Sequence, residues 1–290
     1  MARELASSWD EVTASVGGAD PLLLVTALLV GVISMTSIGM AWGRCISVVG
    51  ARLPRRAVLR SYFVGQLGKY VPGGIWPVVG RAEMARREGV GGSAAYGSTV
   101  LSMSLTYLAA ALVSTSAWLL FARDDRNQTW WPIAGLVLAG VTALHPAIVT
   151  RVLSLLRRVS RRHLDLVVPS WGTSVGLLMR HVPAWLGIST ATWLVAGALD
   201  STPPDLSNLV FATSLSWLLG FLAFGVPGGI GVREAIFIAT VQLTSSGVAV
   251  AVALVARVLF VVVDVAGAGV SSLAVGIARR WSDHPGRARP

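Results

Sequence analysis

Long apolar stretches alternate along the chain with short segments rich in arginine or acid, and that alternation predicts helices that cross a bilayer. Residues 21–43, 93–121, 132–150, 175–198 and 247–278 are each long and apolar enough to span. Two further apolar stretches, 58–80 and 207–246, are interrupted by one shared pentapeptide, Val71-Pro72-Gly73-Gly74-Ile75 and Val226-Pro227-Gly228-Gly229-Ile230. Proline removes a backbone donor and glycine disfavours helix, so both stretches should break. Non-helical backbone at membrane depth is tolerated only where it is buried in protein or lines a cavity. Segment 207–225 is long enough to cross alone, so a full crossing there is the alternative to a hairpin.

Charge sets the expected topology. Arg44, Arg52, Arg55, Arg56 and Arg60 follow the first span, and Arg81, Arg86 and Arg87 follow the first break. Arg151, Arg157, Arg158, Arg161 and Arg162 form the densest basic loop, and Arg279, Arg280, Arg287 and Arg289 end the chain. The positive-inside rule puts all four on the cytoplasmic side. Leu153, Leu156 and Leu164 are helically spaced in the loop at 151–165, which suits a segment lying on the membrane surface. The loops at 122–131 and 199–206 carry no basic excess and fall outside, the first with an aromatic anchor at Trp130 and Trp131. The expected fold is an all-α polytopic membrane protein with about five full spans and two opposed re-entrant broken hairpins, an inverted repeat. Residues 1–20 are a polar outer segment with no basic n-region, 21–278 a single integral domain, and 279–290 a cytoplasmic tail.

Composition narrows the function classes. The 290 residues are 54% hydrophobic and 13% charged, which excludes an ordinary soluble domain. The formal net charge of +10 lies in short loops, where it meets anionic headgroups, so nucleic acid is not an expected partner. One cysteine, Cys45, excludes an internal disulfide, and no His or Cys stands at metal-ligand spacing. No nucleotide-binding loop and no Ser/His/Asp constellation is present, so neither a cofactor nor an enzymatic activity is expected. The His145-Pro146 pair reads as a kink, and Gly39-x-x-x-Gly43 and Gly267-x-Gly269 as close helix contacts.

The charges placed deep in the apolar sequence are Lys69, Arg81, Glu83, Arg233, Glu234, Arg257 and Asp264. Ionisable groups inside a membrane are costly and are functional candidates by default. Among the 24 Lys and Arg residues only Lys69 is lysine, and it lies just before the first Pro-Gly-Gly. Arg257 and Asp264 are seven residues apart on one helix, hence on one face about 10 Å apart at 1.5 Å per residue. Four cations beside free backbone N–H groups suit an anionic headgroup such as a phosphate. In the alternative the charges merely neutralise one another, Arg81 with Glu83 or Asp264, and Arg233 with Glu234 or Asp264.

At these residues the chain resembles a known family. Gly65-Gln-Leu-Gly-Lys69-Tyr70-Val-Pro72-Gly73-Gly74 with Gly80-Arg81, and Pro227-Gly228-Gly229-Ile-Gly231-Val-Arg233-Glu234-Ala235, resemble the two motifs of the flippase-like transmembrane domain of lysylphosphatidylglycerol synthases and their stand-alone relatives. Arg257 matches a later family arginine, and Asp264 falls where an acid is frequent. Serines at Ser102 and Ser104 stand where relatives usually carry an acid, and relatives often begin with one more span. The resemblance implies a translocator without the soluble aminoacyl-transferring unit. It implies a multi-pass protein of the cytoplasmic membrane that moves an anionic lipid, a phospholipid or a glycan-linked polyprenyl phosphate. Lys69, Tyr70, Gly73, Gly74, Arg81, Gly228, Gly229, Arg233 and Arg257 would bind the substrate. Glu83, Glu234 and Asp264 would orient the cations or take up a proton. The rival readings are a membrane glycosyl- or acyltransferase, and a scaffold that recruits a cytoplasmic lipid-modifying transferase through the loop at 151–165.

Overall fold

Long apolar runs give the long helices, one of them continuous through Pro183, and the two Pro-Gly-Gly strings interrupt two of the other apolar stretches. The computed structural model describes residues 9–72, 74–121, 131–151, 154, 167–200, 202, 205–223 and 226–282. The helices are α1 (Trp9–Gly17), α2 (Pro21–Val48), α3 (Arg55–Gln66), α4 (Trp76–Arg87), α5 (Gly92–Phe121), α6 (Trp131–Ala143), α7 (Trp171–Leu199), α8 (Leu206–Leu222), α9 (Val232–Thr240) and α10 (Ser246–Ser282). Asp20 caps α2, its Oδ1 accepting from the N–H of Leu22 at 2.8 Å, with Pro21 in the first turn. Ser170 caps α7 through the N–H of Thr173 at 3.2 Å.

Among the described residues four helices are long and apolar enough to cross a membrane: Pro21–Val48, Gly92–Leu120, Trp171–Leu199 and Ser246–Ala278. The fifth expected span, 132–150, is instead the shorter α6, which stops at Ala143. A turn at Leu144 and His145 follows, where His145 Nδ1 accepts from the N–H of Ala147 before the chain turns helical again. The proline therefore breaks the helix rather than kinking it. Part of the expected polar segment 1–20 is helix α1, which packs on α10 and buries Val12. Most of the expected surface helix at 151–165, the loop at 122–130 and the end of the tail lie outside the described residues, as does Gly73.

Both broken stretches fold back. At the base of the first, Arg60 of α3 pairs with Glu88, just past α4, at 3.4 Å. At the base of the second, Asn208 of α8 donates to the Thr240 carbonyl at the end of α9 and accepts from the N–H of Gln242. Each hairpin thus enters and leaves at one end of the molecule. The helix α8, of 17 residues, is about 26 Å long at 1.5 Å per residue, and its chain returns through α9.

The two halves are copies. Helix α3 packs on α10 as α8 packs on α5, α2 on α10 as α7 on α5, and α1 on α10 as α6 on α5. Equivalent helices α2 and α7 pack on each other and run antiparallel. The N–H of Asp20, at the start of α2, donates to the Ala198 carbonyl at the end of α7 at 3.0 Å. Arg44 and Arg180 share a groove toward the other end of the pair. The repeat is therefore inverted, and the hairpins open from opposite ends. The expected glycine contacts are present: Gly39 lies against Tyr62 and Leu59, Gly43 against Val58, and Gly267 against Phe63. All three clasp α3, whereas Gly269 has no neighbour at Cβ distance.

Candidate functional site

The two broken tips meet inside the bundle. A short 3-10 turn, Leu67–Tyr70, ends the first descending helix, and a second, Pro227–Gly229, follows the other. Gly74 and Gly229, equivalent in the two pentapeptides, both have φ +67°, and Gly228 has φ +56°. These left-handed conformations favour glycine and let each chain reverse within a few residues. A Cβ on Gly228 would lie 3.6 Å from the Lys69 carbonyl oxygen and 3.8 Å from the Tyr70 ring, so the tips touch.

A crossing of α3 and α4 is permitted by Gly65, whose absent Cβ would sit 3.0 Å from the backbone of Arg81. A crossing of α8 and α9 is permitted by Gly220, which lies against the stem of Arg233. Gly65 and Gly220 hold the same register relative to their Pro-Gly-Gly strings, and Leu67 matches Leu222. Arg81 and Arg233 are thus placed alike in the two hairpins, Arg81 meeting Gly65 with its backbone and Cβ and Arg233 meeting Gly220 with its side-chain stem.

The long helix α10 holds both tips with the two residues it carries on one face. Asp264, fully buried, receives Lys69 Nζ at 2.5 Å and the Tyr70 hydroxyl at 2.8 Å. Arg257 donates to Glu234 and reaches the Gly228 carbonyl at 3.4 Å. Glu234 also accepts from the N–H of Gly231 at 2.6 Å, fixing the start of α9. The expected pairings are therefore exchanged. Asp264 belongs to Lys69 and Tyr70 rather than to an arginine, and Glu234 belongs to Arg257 rather than to its sequence neighbour.

Arg81 and Arg233 have no carboxylate within ion-pair distance among the described residues. Arg233 stacks on the Trp217 ring, its guanidinium 3.6 Å from the centroid. Arg81 is 2% exposed and lies 4.7 Å from the Tyr62 centroid and 5.5 Å from that of Trp42. It donates to Gln66 Oε1 at 2.9 Å. Glu83 leaves the group: it faces outward and pairs with Arg86 at 3.0 Å and Arg87 at 3.7 Å. Two residues, or about half a turn, put it on the side of α4 away from Arg81, so proximity in sequence did not mean proximity in space. Lys69, Arg81, Arg233 and Arg257 against Glu234 and Asp264 leave a formal charge of 4 − 2 = +2.

A cleft of about 130 Å³ opens between the tips. Lys69 and Arg233 supply its charge, Gly74, Gly228 and Gly229 its backbone, and Tyr107 and Trp217 its aromatic wall. Tyr107 stacks on Phe221 with centroids 3.6 Å apart. Trp217, Tyr107 and Gln66 were missed as site residues. Gln66 lies inside the first motif, and its polarity amid apolar neighbours was a readable signal. Trp217 looked like any of the interface tryptophans, since an aromatic in an apolar helix does not show what it faces. The cleft can meet a single anion with the Lys69 ammonium, the ring-backed Arg233 guanidinium and the backbone of its glycines.

No curated protein matches the chain. The model of the lysylphosphatidylglycerol synthase transmembrane region matches residues 5–267. With its two glycine-proline motifs folded into facing tips, this multi-pass membrane protein belongs to the family of the lysylphosphatidylglycerol synthase transmembrane region.

Proposed function

We propose that the protein translocates an anionic lipid between the leaflets of the cytoplasmic membrane, gripping the phosphate of the headgroup in the cleft between the two tips. The observation that carries this reading is a cleft lined by Lys69 and Arg233 in which Arg233 has no carboxylate partner among the described residues. A cation kept in an apolar bundle without an internal counter-ion is costly unless an anion visits it. Positive-φ glycines bring backbone close to that anion, and the inverted repeat supplies two opposed hairpins around one central site. Lys69, Tyr70, Gly74, Gly228, Gly229 and Arg233 contact the headgroup or shape its cradle. Arg257, Glu234 and Asp264 hold the tips.

The test is lipid exchange in vesicles containing the purified protein, with trace fluorescent phosphatidylglycerol or polyprenyl phosphate and dithionite quenching from outside. At least one anionic probe should equilibrate faster than labelled phosphatidylcholine, and Arg233→Gln should return that rate to the protein-free value. Equal rates for all three lipids, or none above protein-free vesicles, would sink the proposal.

A further inference from the structure

Arg81 sits in a second, smaller cavity that the headgroup cleft does not include. That cavity, of about 40 Å³, is lined by Arg81, Tyr62, Met35 and Trp185, and it shares Gln66, Met103, Tyr107 and Trp217 with the cleft. The guanidinium makes one hydrogen bond, to Gln66, and its buried Nε and Nη1 have no partner among the described residues. No carboxylate is among the surrounding polar groups in the described residues: the Tyr62 hydroxyl interacts with Gln66 and Met35, and Ser102 and His181 lie 3.3 Å apart. A buried charge with unpartnered donors is among the costliest arrangements a fold can keep.

The inverted repeat gives this arrangement a meaning. Arg81 and Arg233 are placed alike, each against the glycine that precedes its own Pro-Gly-Gly string by the same number of residues. Here the Arg233 side is the larger cleft and the Arg81 side the smaller, interior one. Inverted repeats can exchange their conformations, which turns one side's open state into the other's. Resting on the proposed lipid cleft, we infer that Arg81 is a second anion station for the same phosphate-bearing headgroup, used in the opposite-facing state. The Arg81 guanidinium keeps N–H groups free on Nε and on Nη1, each able to donate to a phosphate oxygen. Tyr107 and Trp217, walls common to both chambers, form the partition the headgroup passes.

The experiment uses the full chain in detergent and dihexanoyl phosphatidate as probe, reading thermal unfolding against probe concentration. Wild type should be stabilised, and Arg233→Gln should raise the half-saturating concentration about tenfold or more, the equivalent of one charged hydrogen bond. Arg81→Gln alone should raise it by no more than about twofold, the loss of one of two alternating states. The double variant should show no stabilisation at any concentration. Without probe, Arg81→Gln should melt within about 3 °C of wild type, since the residue holds no carboxylate. A double variant that responds like Arg233→Gln overturns the second station, as does an Arg81→Gln effect as large as that of Arg233→Gln. A larger fall in probe-free melting also overturns it, because Arg81 would then hold the fold. No response in wild type would remove the headgroup cleft itself, and the station with it.

Discussion

At the scale of single residues, the four cations inside the bundle divide into two that hold the fold and two that do not. Lys69 and Arg257 each neutralise a carboxylate, and removing either cation strands an anion in an apolar bundle. Lys69→Met should therefore destabilise the protein by about 3–5 kcal/mol, because Asp264 is fully buried. The double variant Lys69→Met with Asp264→Asn should recover most of that loss in thermal or denaturant unfolding. If the single variant unfolds like wild type, the Lys69–Asp264 pair does not exist in the membrane. Arg233 offers the contrast: it rests on a ring, so Arg233→Gln should cost little stability while weakening anion binding. Trp217→Leu should weaken binding too, by about 0.5–2 kcal/mol, through loss of the cation–π face. A phosphatidate titration that left Trp217→Leu unchanged would show that the ring plays no part.

At the scale of elements, each hairpin depends on a glycine that lets its two arms cross. Gly65→Ala sets a Cβ 3.0 Å from the backbone of Arg81, where nothing flexible can give way. A cost of about 1–3 kcal/mol in thermal unfolding is expected. Gly220→Ala meets the stem of Arg233 instead, so it should displace that side chain from Trp217 and show a larger deficit in anion binding than in stability. Equal effects of the two changes on binding would contradict the division. The base of the second hairpin is tied to its neighbours by carboxylates outside the spans. Asp200, at the end of α7, accepts from the Thr244 hydroxyl and from the N–H and hydroxyl of Thr202. Burial alone would raise its pKa, but these hydrogen bonds outweigh burial and hold it below the ordinary 3.8. A depressed carboxylate contributes stability that is present above its unfolded pKa and lost as pH falls through its folded pKa. Melting temperature should fall below about pH 4, and Asp200→Asn should flatten part of that fall. A slope unchanged by Asp200→Asn would assign the acid sensitivity elsewhere.

At the scale of the whole molecule, the bases of the two hairpins lie at opposite ends, and one end carries the basic loops. In a Cys45→Ala background, Arg52→Cys and Glu88→Cys should resist a membrane-impermeant maleimide in intact cells, and Thr202→Cys and Asp205→Cys should react. Labelling of Arg52→Cys from outside would reverse the expected orientation in the membrane. Cys45 itself is fully buried between helices, so the native protein should stay unlabelled until it is unfolded.

The sequence alone determined the membrane class, the two breaks, the family and which charges lie within the apolar stretches. It could do so because span length, Pro-Gly-Gly strings and intramembrane charge are local properties with a direct physical cost. It also implied opposed hairpins, since loop charge counts crossings. Partner choice was decided only in three dimensions. Asp264 sits seven residues from Arg257 yet pairs with Lys69, nearly two hundred positions away, because α10 passes both tips. Glu83 looked like part of the site because it is two residues from Arg81, and helical twist put it on the outer face. The like placement of Arg81 and Arg233 was hidden in sequence by their different spacing from the shared prolines. It emerged from the glycines they meet, a relation between helices that no single stretch of chain contains.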